Sequence, residues 1–176
     1  MTDAFLNIVG AVFLVSAGYL YGCNISSVLV KRVRLLEELL MALELFRTEI
    51  DYGLTPLPQA FRNIGSRVEK PLGDIFLKCS SYMQKNEGLS AWECWNKALE
   101  ETQEYLKLSP SSLEYLRRLG NIWGRGDKEG QLRQLSLMQE LFRQALKEAQ
   151  EYRNKNEKLW RYLGLIGGAA LAIFIM

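Results

Sequence analysis

The side chains that could carry out acid–base or metal chemistry are few in this sequence. There is no histidine among the 176 residues, which removes the usual general base near neutral pH and the commonest zinc ligand. The three cysteines, Cys23, Cys79 and Cys94, match no metal-ligand spacing. Their odd number favours free thiols that serve packing in a reducing compartment.

Carboxylate pairs and a glycine cluster are the remaining candidates for chemistry. Glu37-Glu38 and Glu100-Glu101 fall on predicted helix surfaces, where solvated faces normally carry charge. The glycines between Gly120 and Gly130 lack the Lys-Ser or Lys-Thr pair of a phosphate-binding loop and occur where helix ends need glycine. Serine nucleophile elbows and dinucleotide-binding fingerprints are also missing. We therefore predict that the chain is not an enzyme and needs no cofactor or metal.

The charges are balanced overall but unevenly distributed along the chain. There are 22 Lys and Arg residues against 20 Asp and Glu, for a net charge of +2. A chain with so small an excess argues against nucleic acid as a partner, because nucleic-acid binders carry clustered basic residues. All basic residues lie between Lys31 and Arg161, whereas Phe5 to Cys23 and Leu163 to Met176 contain no charged side chain.

The uncharged ends predict two membrane-spanning helices. A helix needs about 20 mostly apolar residues to cross a bilayer. The run Ala4 to Val30 is long enough, and the run Leu159 to Met176 is just long enough to span. We assign residues 1–30 to the first transmembrane helix and 159–176 to the second. The alternatives are buried helices of a soluble protein, or a cleaved signal peptide, which the acidic Asp3 disfavours.

The basic flanks of these segments predict their orientation. Basic residues follow the first segment and precede the second, and none lies outside them. By the positive-inside rule, residues 31–158 form a cytoplasmic domain and both termini point away from the cytoplasm.

Small residues recur at four-residue spacing in both predicted membrane segments. Small side chains let helix backbones approach closely in lipid, so these faces are candidates for helix packing within the chain or between subunits of a homo-oligomer. The alternative is that glycine and alanine are simply common in membrane helices. The residues are Gly10, Gly18, Gly22, Gly164, Gly168 and Ala172.

The middle of the chain predicts an all-α bundle of about six helices, two of them extensions of the terminal segments. Apolar residues from Leu36 to Ile50 recur at three and four residues, which indicates an amphipathic helix. We expect it to end at Tyr52-Gly53, with Gly53 in the left-handed conformation. Thr55-Pro56 is expected to supply the N-cap and first-turn proline of a short helix that stops near Gly65.

Three further helix starts follow from capping patterns. Pro71 is expected to open a helix that runs to Asn86. Ser90 with Glu93 is a capping box, and Ser109-Pro110 caps the next start. Asp127 is expected to cap a long helix that continues into the second terminal segment. We expect the tryptophans of this region to be part of the core, namely Trp92, Trp95 and Trp123.

Three segments resemble the stage III sporulation protein AB family of endospore-forming bacteria. Glu49 to Leu57, read as E-I-D-Y-G-L-T-P-L, is similar to that family's E-I-x-Y-G-x-T-P-L turn. Leu119-Gly120 followed by Gly126-Asp127 and Gln131 resembles its LG…D…Q segment, and Lys155 to Gly164 resembles its membrane-proximal end. The resemblance extends over nearly the whole chain.

The resemblance implies a platform function. The family's middle region is similar to the cytoplasmic helical domains of the type II secretion inner-membrane platform, the F component, which lies beside a secretion ATPase. It implies a subunit of the channel between mother cell and forespore, located in the mother-cell membrane around the forespore. The implied partners are a sibling secretion-type ATPase and other membrane subunits. One departure is that those platform proteins carry two such domains, whereas this chain has one.

Exposed residues near the predicted turns are the candidate contacts for such a partner: Tyr52, Arg125 and Asp127. Each has a simpler structural interpretation, since Tyr52 can pack at a helix end, Arg125 can be a solvated loop residue and Asp127 can be an N-cap. The alternative function is a membrane-tethered regulator that binds one soluble partner through the bundle.

Overall fold

The computed structural model of this chain describes residues 2–52, 55–85, 88–123 and 127–175. Within these ranges, the described side chains do not include those of residues 2–9, 11, 14, 52, 161, 168, 169 and 171–175. The described residues form six α-helices and one short 3₁₀ helix, with no strand among them. The prediction of an all-α bundle of about six helices is confirmed.

The chain divides into two compact units. The central unit comprises Arg34–Lys147, and the terminal unit combines Met1–Val33 with Glu148–Met176. The central unit contains most of the helix ends and all of the cavities discussed below.

The first helix, α1, runs without a break over Thr2–Tyr52. In the central unit its apolar stripe is buried, including Leu36, Leu39, Leu43 and Phe46. The spacing of three and four residues places these side chains on one face, as expected. The helix reaches Tyr52, and Gly53, which was expected to terminate it, lies outside the described residues, so the predicted end stays a prediction.

The second helix, α2, covers Leu57–Gly65 and buries Ala60, Phe61 and Ile64. Its N-cap is Pro56, with φ −56° and ψ 141°, and no side chain caps the start. The expected N-cap role of Thr55 is therefore wrong. The ring of Pro56 fixes a φ that suits the flanking position, and its carbonyl accepts the first helical hydrogen bonds from the N–H groups of Gln59 and Ala60.

The third helix, α3, covers Leu72–Gln84 and begins after Pro71, as predicted. Its C-cap is Lys85, so it ends earlier than the expected Asn86, which lies outside the described residues. Gly88 has a φ of +74°, a left-handed conformation that glycine adopts at little cost, and it turns the chain toward the fourth helix.

The capping predictions for the next two helices are confirmed. The fourth helix, α4, covers Ala91–Glu100, and the Glu93 amide donates to Ser90 Oγ at 3.3 Å while the Ser90 amide donates to Glu93 Oε2 at 2.7 Å. After a 3₁₀ helix at Gln103–Tyr105, the fifth helix, α5, covers Pro110–Leu119. The Ser109 hydroxyl accepts from the amide of Ser112 at 3.3 Å.

The last helix, α6, covers Lys128–Ile175. It continues from the central unit into the terminal segment, as the sequence indicated. In the central unit it buries Leu135, Phe142 and Ala145. Gln139 is also buried, and its side-chain amide donates to Glu44 Oε2 on α1 at 3.0 Å.

Five aromatic rings fill the centre of the bundle. Neighbouring ring centroids lie between 4.2 Å, for Phe46 and Trp123, and 5.9 Å, for Phe61 and Trp95. Such edge-to-face and tilted contacts suit the charge distribution of aromatic rings. The fifth ring, Phe76, contacts Phe61 and Trp95. The core positions predicted for Trp95 and Trp123 are confirmed.

Trp92 departs from the predicted core position, because 41% of it is exposed. It lies in the first turn of α4, one turn before the buried Trp95. Its ring reaches the end of α5, where a Cβ added to Gly120 would lie 3.2 Å from Trp92 Cδ1. Trp92 is therefore covered on one side only.

The terminal segments require a correction. Neither α1 nor α6 offers, over the residues described, an apolar stretch of the length that a bilayer crossing demands. In α1 the described side chains from Val15 onward include Gly18, Tyr19, Tyr21 and Asn24, which interrupt the apolar run. The side chains of residues 2–9 and 171–175, which carry part of both predicted spans, lie outside the described set. This finding contradicts the prediction of a multi-pass membrane protein and the orientation derived from it.

Candidate protein-binding site at one end of the bundle

The end of α1 and the start of α6 are joined by Lys128. Its ammonium lies 2.9 Å from Asp51 Oδ1 and also donates to the main-chain carbonyl of Asp51. The last carbonyls of a helix have no partner within the helix, so Lys128 satisfies one of them. The contact joins residues 77 positions apart in the sequence.

Lys128 also changes the acidity of Asp51. The hydrogen bond from Lys128, followed by the Coulomb attraction of its charge, lowers the pKa of the Asp51 carboxyl below its ordinary value. Both side chains are more than half exposed, so water and salt screen the pair and limit its contribution to stability.

Beside this ion pair lies a cavity of about 440 Å³. The first motif segment contributes Glu49, Ile50, Thr55 and Leu57 to its wall. The start of α6 contributes Lys128 and Gln131, and the core residues Phe46, Ala60 and Trp123 complete the described lining. Four residues of the first motif therefore meet Gln131 of the second motif at a single cavity.

Two polar groups in the wall of this cavity have few hydrogen-bond partners among the described residues. The carboxylate of Glu49 receives a hydrogen bond of 3.3 Å from the side-chain amide of Asn63. The indole nitrogen of Trp123 is buried with no acceptor in the described part of the chain. Trp95 differs, because its indole nitrogen donates to the carbonyl of Leu116 at 2.8 Å. A buried donor without an acceptor is uncommon and costs about 1–3 kcal/mol.

The structure describes only part of the predicted contact set. Asp127 is exposed and directly precedes α6, and its carbonyl accepts from the amide of Gln131 at 3.0 Å. Tyr52 is the last residue of α1, but its side chain lies outside the described residues, as does the whole of Arg125. Their roles as partner contacts remain predictions.

Lys128, Glu49 and Trp123 were not singled out as site residues from the sequence. Glu49 begins the first motif and Lys128 follows Asp127 directly, so the motifs indicated the right neighbourhood. No local signal could show that Lys128 reaches Asp51, since that contact depends on how the ends of α1 and α6 pack.

The glycines predicted as packing residues can be followed in the terminal unit. A Cβ added to Gly22 would lie 2.5 Å from the carbonyl oxygen of Trp160, and one added to Gly164 would clash with the carbonyl oxygen of Gly18. A Cβ at Gly10 would meet nothing within 4 Å. The surroundings of Gly168 and of the Ala172 side chain lie outside the described set. The structure thus brings Gly18, Gly22 and Gly164 together, while the wider packing role stays a prediction.

Cys79, Cys94 and Glu101, which the sequence offered as candidates for chemistry, are held by burial or by hydrogen bonds within the bundle. The residues described contain no group of three acidic, cysteine or histidine side chains placed to hold a metal. Burial, followed by the nearby Cys94, raises the pKa of the Cys79 thiol and keeps it protonated. Hydrogen bonds from Tyr82, at 2.6 Å, and from Lys78, at 2.9 Å, lower the pKa of Glu101 on the bundle surface.

In the central unit, the fold and this site define a helical bundle with a cavity and an ion pair where α1 ends and α6 begins. The family model of stage III sporulation protein AB matches residues 7–176. The chain belongs to the stage III sporulation protein AB family, which is named for sporulation and not for an enzymatic activity.

Two relatives support this assignment. The chain is 29% identical to the stage III sporulation protein AB of Bacillus subtilis (strain 168) over 171 residues, which are 97% of this chain and 99% of that protein. It is also similar to a solved structure of stage III sporulation protein AB, with a TM-score of 0.67 and 26% identity. That likeness covers 71% of this chain and 98% of the other.

Proposed function

We propose that this chain is a non-catalytic platform subunit of the channel between mother cell and forespore during endospore formation, and that it binds a secretion-type ATPase of the same system. The observation that carries the proposal is the convergence of two motif segments on one cavity. Lys128 lies in the wall of this cavity and pairs with Asp51, and Asp127 directly precedes Lys128 in the chain. Surfaces that combine an apolar centre with charged surroundings are typical of protein–protein contacts.

The arrangement suits binding better than catalysis. Asp51 and Lys128 neutralise each other, and the only carboxylate in the described cavity wall, Glu49, has no described acid or base partner other than the neutral amide of Asn63.

The test is binding of the purified full chain to the ATPase, measured by calorimetry at low and high salt. Asp127→Lys should weaken binding by about tenfold or more at low salt, and by less at high salt, because charge reversal at an interface creates a repulsion that salt screens. The matched control is Glu104→Lys. Glu104 is an exposed carboxylate of the 3₁₀ helix and does not line the cavity.

If the wild-type chain does not bind the ATPase, the platform proposal is wrong. If Asp127→Lys and Glu104→Lys behave alike, the chain can still be a platform, but this end of the bundle is not the contact.

A further inference from the structure

The cavity at the end of the bundle carries a negative charge, that of Glu49, for which the described part of the chain supplies no cation. Of its two charged lining residues, Lys128 is already paired with Asp51 at 2.9 Å. Glu49 receives a hydrogen bond only from the neutral amide of Asn63, and no described Lys or Arg lies within ion-pair distance of it. Arg67 borders a separate cavity of about 50 Å³ with Glu49 but forms no ion pair with it.

The rest of the wall is largely apolar. Phe46, Ile50 and Leu57 contribute hydrocarbon surface around a volume of about 440 Å³, which lies within the range of about 300–1,000 Å³ that is typical of ligand sites. Because Lys128 is already paired with Asp51, Glu49 is the charge left to a ligand. An apolar wall with one such charge selects a ligand that joins an apolar body to a single opposite charge.

Resting on the proposed function, we propose that this cavity binds an apolar side chain of the partner protein that stands next to a lysine or arginine, and that this cation pairs with Glu49. The apolar side chain supplies the buried anchor, as in most protein–protein hot spots. The charge-assisted hydrogen bond to Glu49 sets the selectivity for a basic neighbour, because an acidic or neutral one leaves the carboxylate unmatched.

Trp123 provides the reporter for a direct test. It lines the cavity, and its indole N–H has no acceptor in the described part of the chain. The full chain labelled with ¹⁵N gives one indole signal for each of its four tryptophans, and the spectrum of Trp123→Phe identifies the signal of Trp123.

Three small probes of the same shape separate charge from apolar contact: the phenethylammonium cation, neutral phenethyl alcohol and the 3-phenylpropionate anion. Each is titrated into the labelled full chain. The cation should shift the Trp123 signal to saturation and bind about tenfold more tightly than the alcohol, with the anion weakest. Equal affinities for the cation and the alcohol would overturn the proposal.

Variants then test whether Glu49 is the carboxylate that pairs with the cation. Glu49→Gln should abolish the advantage of the cation over the alcohol, whereas the control Glu104→Gln should retain it. Ala60→Leu adds side-chain volume to the wall and should weaken the cation and the alcohol together. Should Ala60→Leu fail to fold, the pair Glu49→Gln and Glu104→Gln still decides. A cation preference that survives in Glu49→Gln contradicts the assignment.

The outcome is separable from that of the proposed function, because the probes are measured without the ATPase. If the probes show no Glu49-dependent preference while Asp127→Lys still weakens ATPase binding, the platform function stands and the cavity proposal is wrong. If the ATPase fails to bind while the cation preference depends on Glu49, the cavity chemistry stands and its assignment to that partner is wrong.

Discussion

The central and terminal units bring their helices together by opposite means. In the central unit, five large rings fill the space between helices, with centroids 4.2–5.9 Å apart. In the terminal unit, Gly22 and Gly164 leave so little space that an added Cβ would fall 2.5 Å from the carbonyl oxygen of Trp160 or against that of Gly18. The first contact depends on side-chain volume and the second on its absence.

The difference predicts opposite sensitivities to substitution. A filled core loses stability when atoms are removed, since a cavity remains where contacts were lost. A close approach of two backbones loses stability when atoms are added, since the main chain must shift to admit them. The ion pair of Asp51 and Lys128 beside the cavity follows neither pattern, because both side chains are more than half exposed and contribute little to stability.

The largest effect is expected in the aromatic core. Phe61 is fully buried and contacts four other rings, so Phe61→Ala should lower the free energy of unfolding by about 3–5 kcal/mol. The control is Tyr105→Ala, which removes a ring that is 69% exposed and should change stability by no more than about 0.5 kcal/mol. Urea unfolding followed by circular dichroism measures both. Similar losses in the two variants would show that ring packing does not dominate this unit.

The second effect tests the close approach in the terminal unit. Gly164→Ala should cost about 1–3 kcal/mol, because the new methyl group meets the backbone of Gly18. Gly167→Ala is the matched control on the same helix, since a Cβ there meets nothing within 4 Å. It should stabilise the chain by about 0.5–1 kcal/mol, as alanine does in an open helical position. If thermal unfolding shows that Gly164→Ala and Gly167→Ala both stabilise the chain, the close backbone approach does not hold the terminal unit together and the contrast with the core is wrong.

The features that could be predicted from the sequence depend on residues close together in the chain. The capping box of Ser90 and Glu93 and the cap of Ser109 were predicted correctly because each needs only a few adjacent residues and a favourable backbone. The N-cap of α2 was predicted wrongly because two neighbouring residues, the polar Thr55 and the cyclic Pro56, could each occupy that position. The fixed φ of Pro56 favours Pro56.

The features that were missed depend on tertiary contacts. Whether Trp92 is buried depends on how far α5 reaches along α4, which periodicity within α4 cannot show. Residues of the first two motifs lie at the end of the bundle where the cavity is found. The pairing of Lys128 with Asp51 depends on the packing of α1 against α6, and the contact of Glu49 with Asn63 depends on the packing of α1 against α2. In the terminal segments, charge is absent over long runs, but small and polar residues separate the apolar ones.

A smaller effect is expected at the start of α4. Ser90→Ala removes the hydroxyl that accepts from the Glu93 amide and should lower the free energy of unfolding by about 1 kcal/mol. Ser81→Ala, on an exposed position of α3, is the control and should be close to neutral. Thermal unfolding distinguishes them, and equal midpoints for the two variants would mean that the cap contributes nothing measurable.

The capping box also gives a pH dependence with a defined sign. Hydrogen bonds from the backbone and side chain of Ser90 lower the pKa of Glu93 in the folded state. Its stabilisation is therefore fully present above the unfolded pKa and is lost as the pH falls through the folded value. In acid, wild type and Ser90→Ala should become more alike in unfolding midpoint, because protonated Glu93 is a weaker acceptor for the Ser90 hydroxyl, which the variant lacks. A gap that widens on acidification would contradict this coupling.

The smallest effect is expected at the exposed ion pair of Asp51 and Lys128, a contact that neither fills space nor brings backbones together. Asp51→Asn removes the charge while leaving the carbonyl that Lys128 also contacts. The folded pKa of Asp51 is lowered mainly by its hydrogen bond from Lys128, so the pair stabilises the chain above the unfolded pKa and ceases to do so as the pH falls through the folded value. The negative charge also lies near the C-terminus of α1, where the helix dipole disfavours it and reduces the net gain.

The measurement is the difference in unfolding midpoint between wild type and Asp51→Asn at neutral pH and well below the ordinary Asp pKa of 3.8. We expect a small loss in the variant at neutral pH that shrinks in high salt and disappears in acid. Glu104→Gln, which removes a carboxylate with no ion pair among the described residues, should show no such trend. A loss in Asp51→Asn that persists unchanged in acid cannot come from the ion pair. It would mean that the Asp51 side chain stabilises the end of α1 by a contact that does not depend on its charge. This end of the bundle would then be stabilised by packing, as the core is, and not by an exposed ion pair.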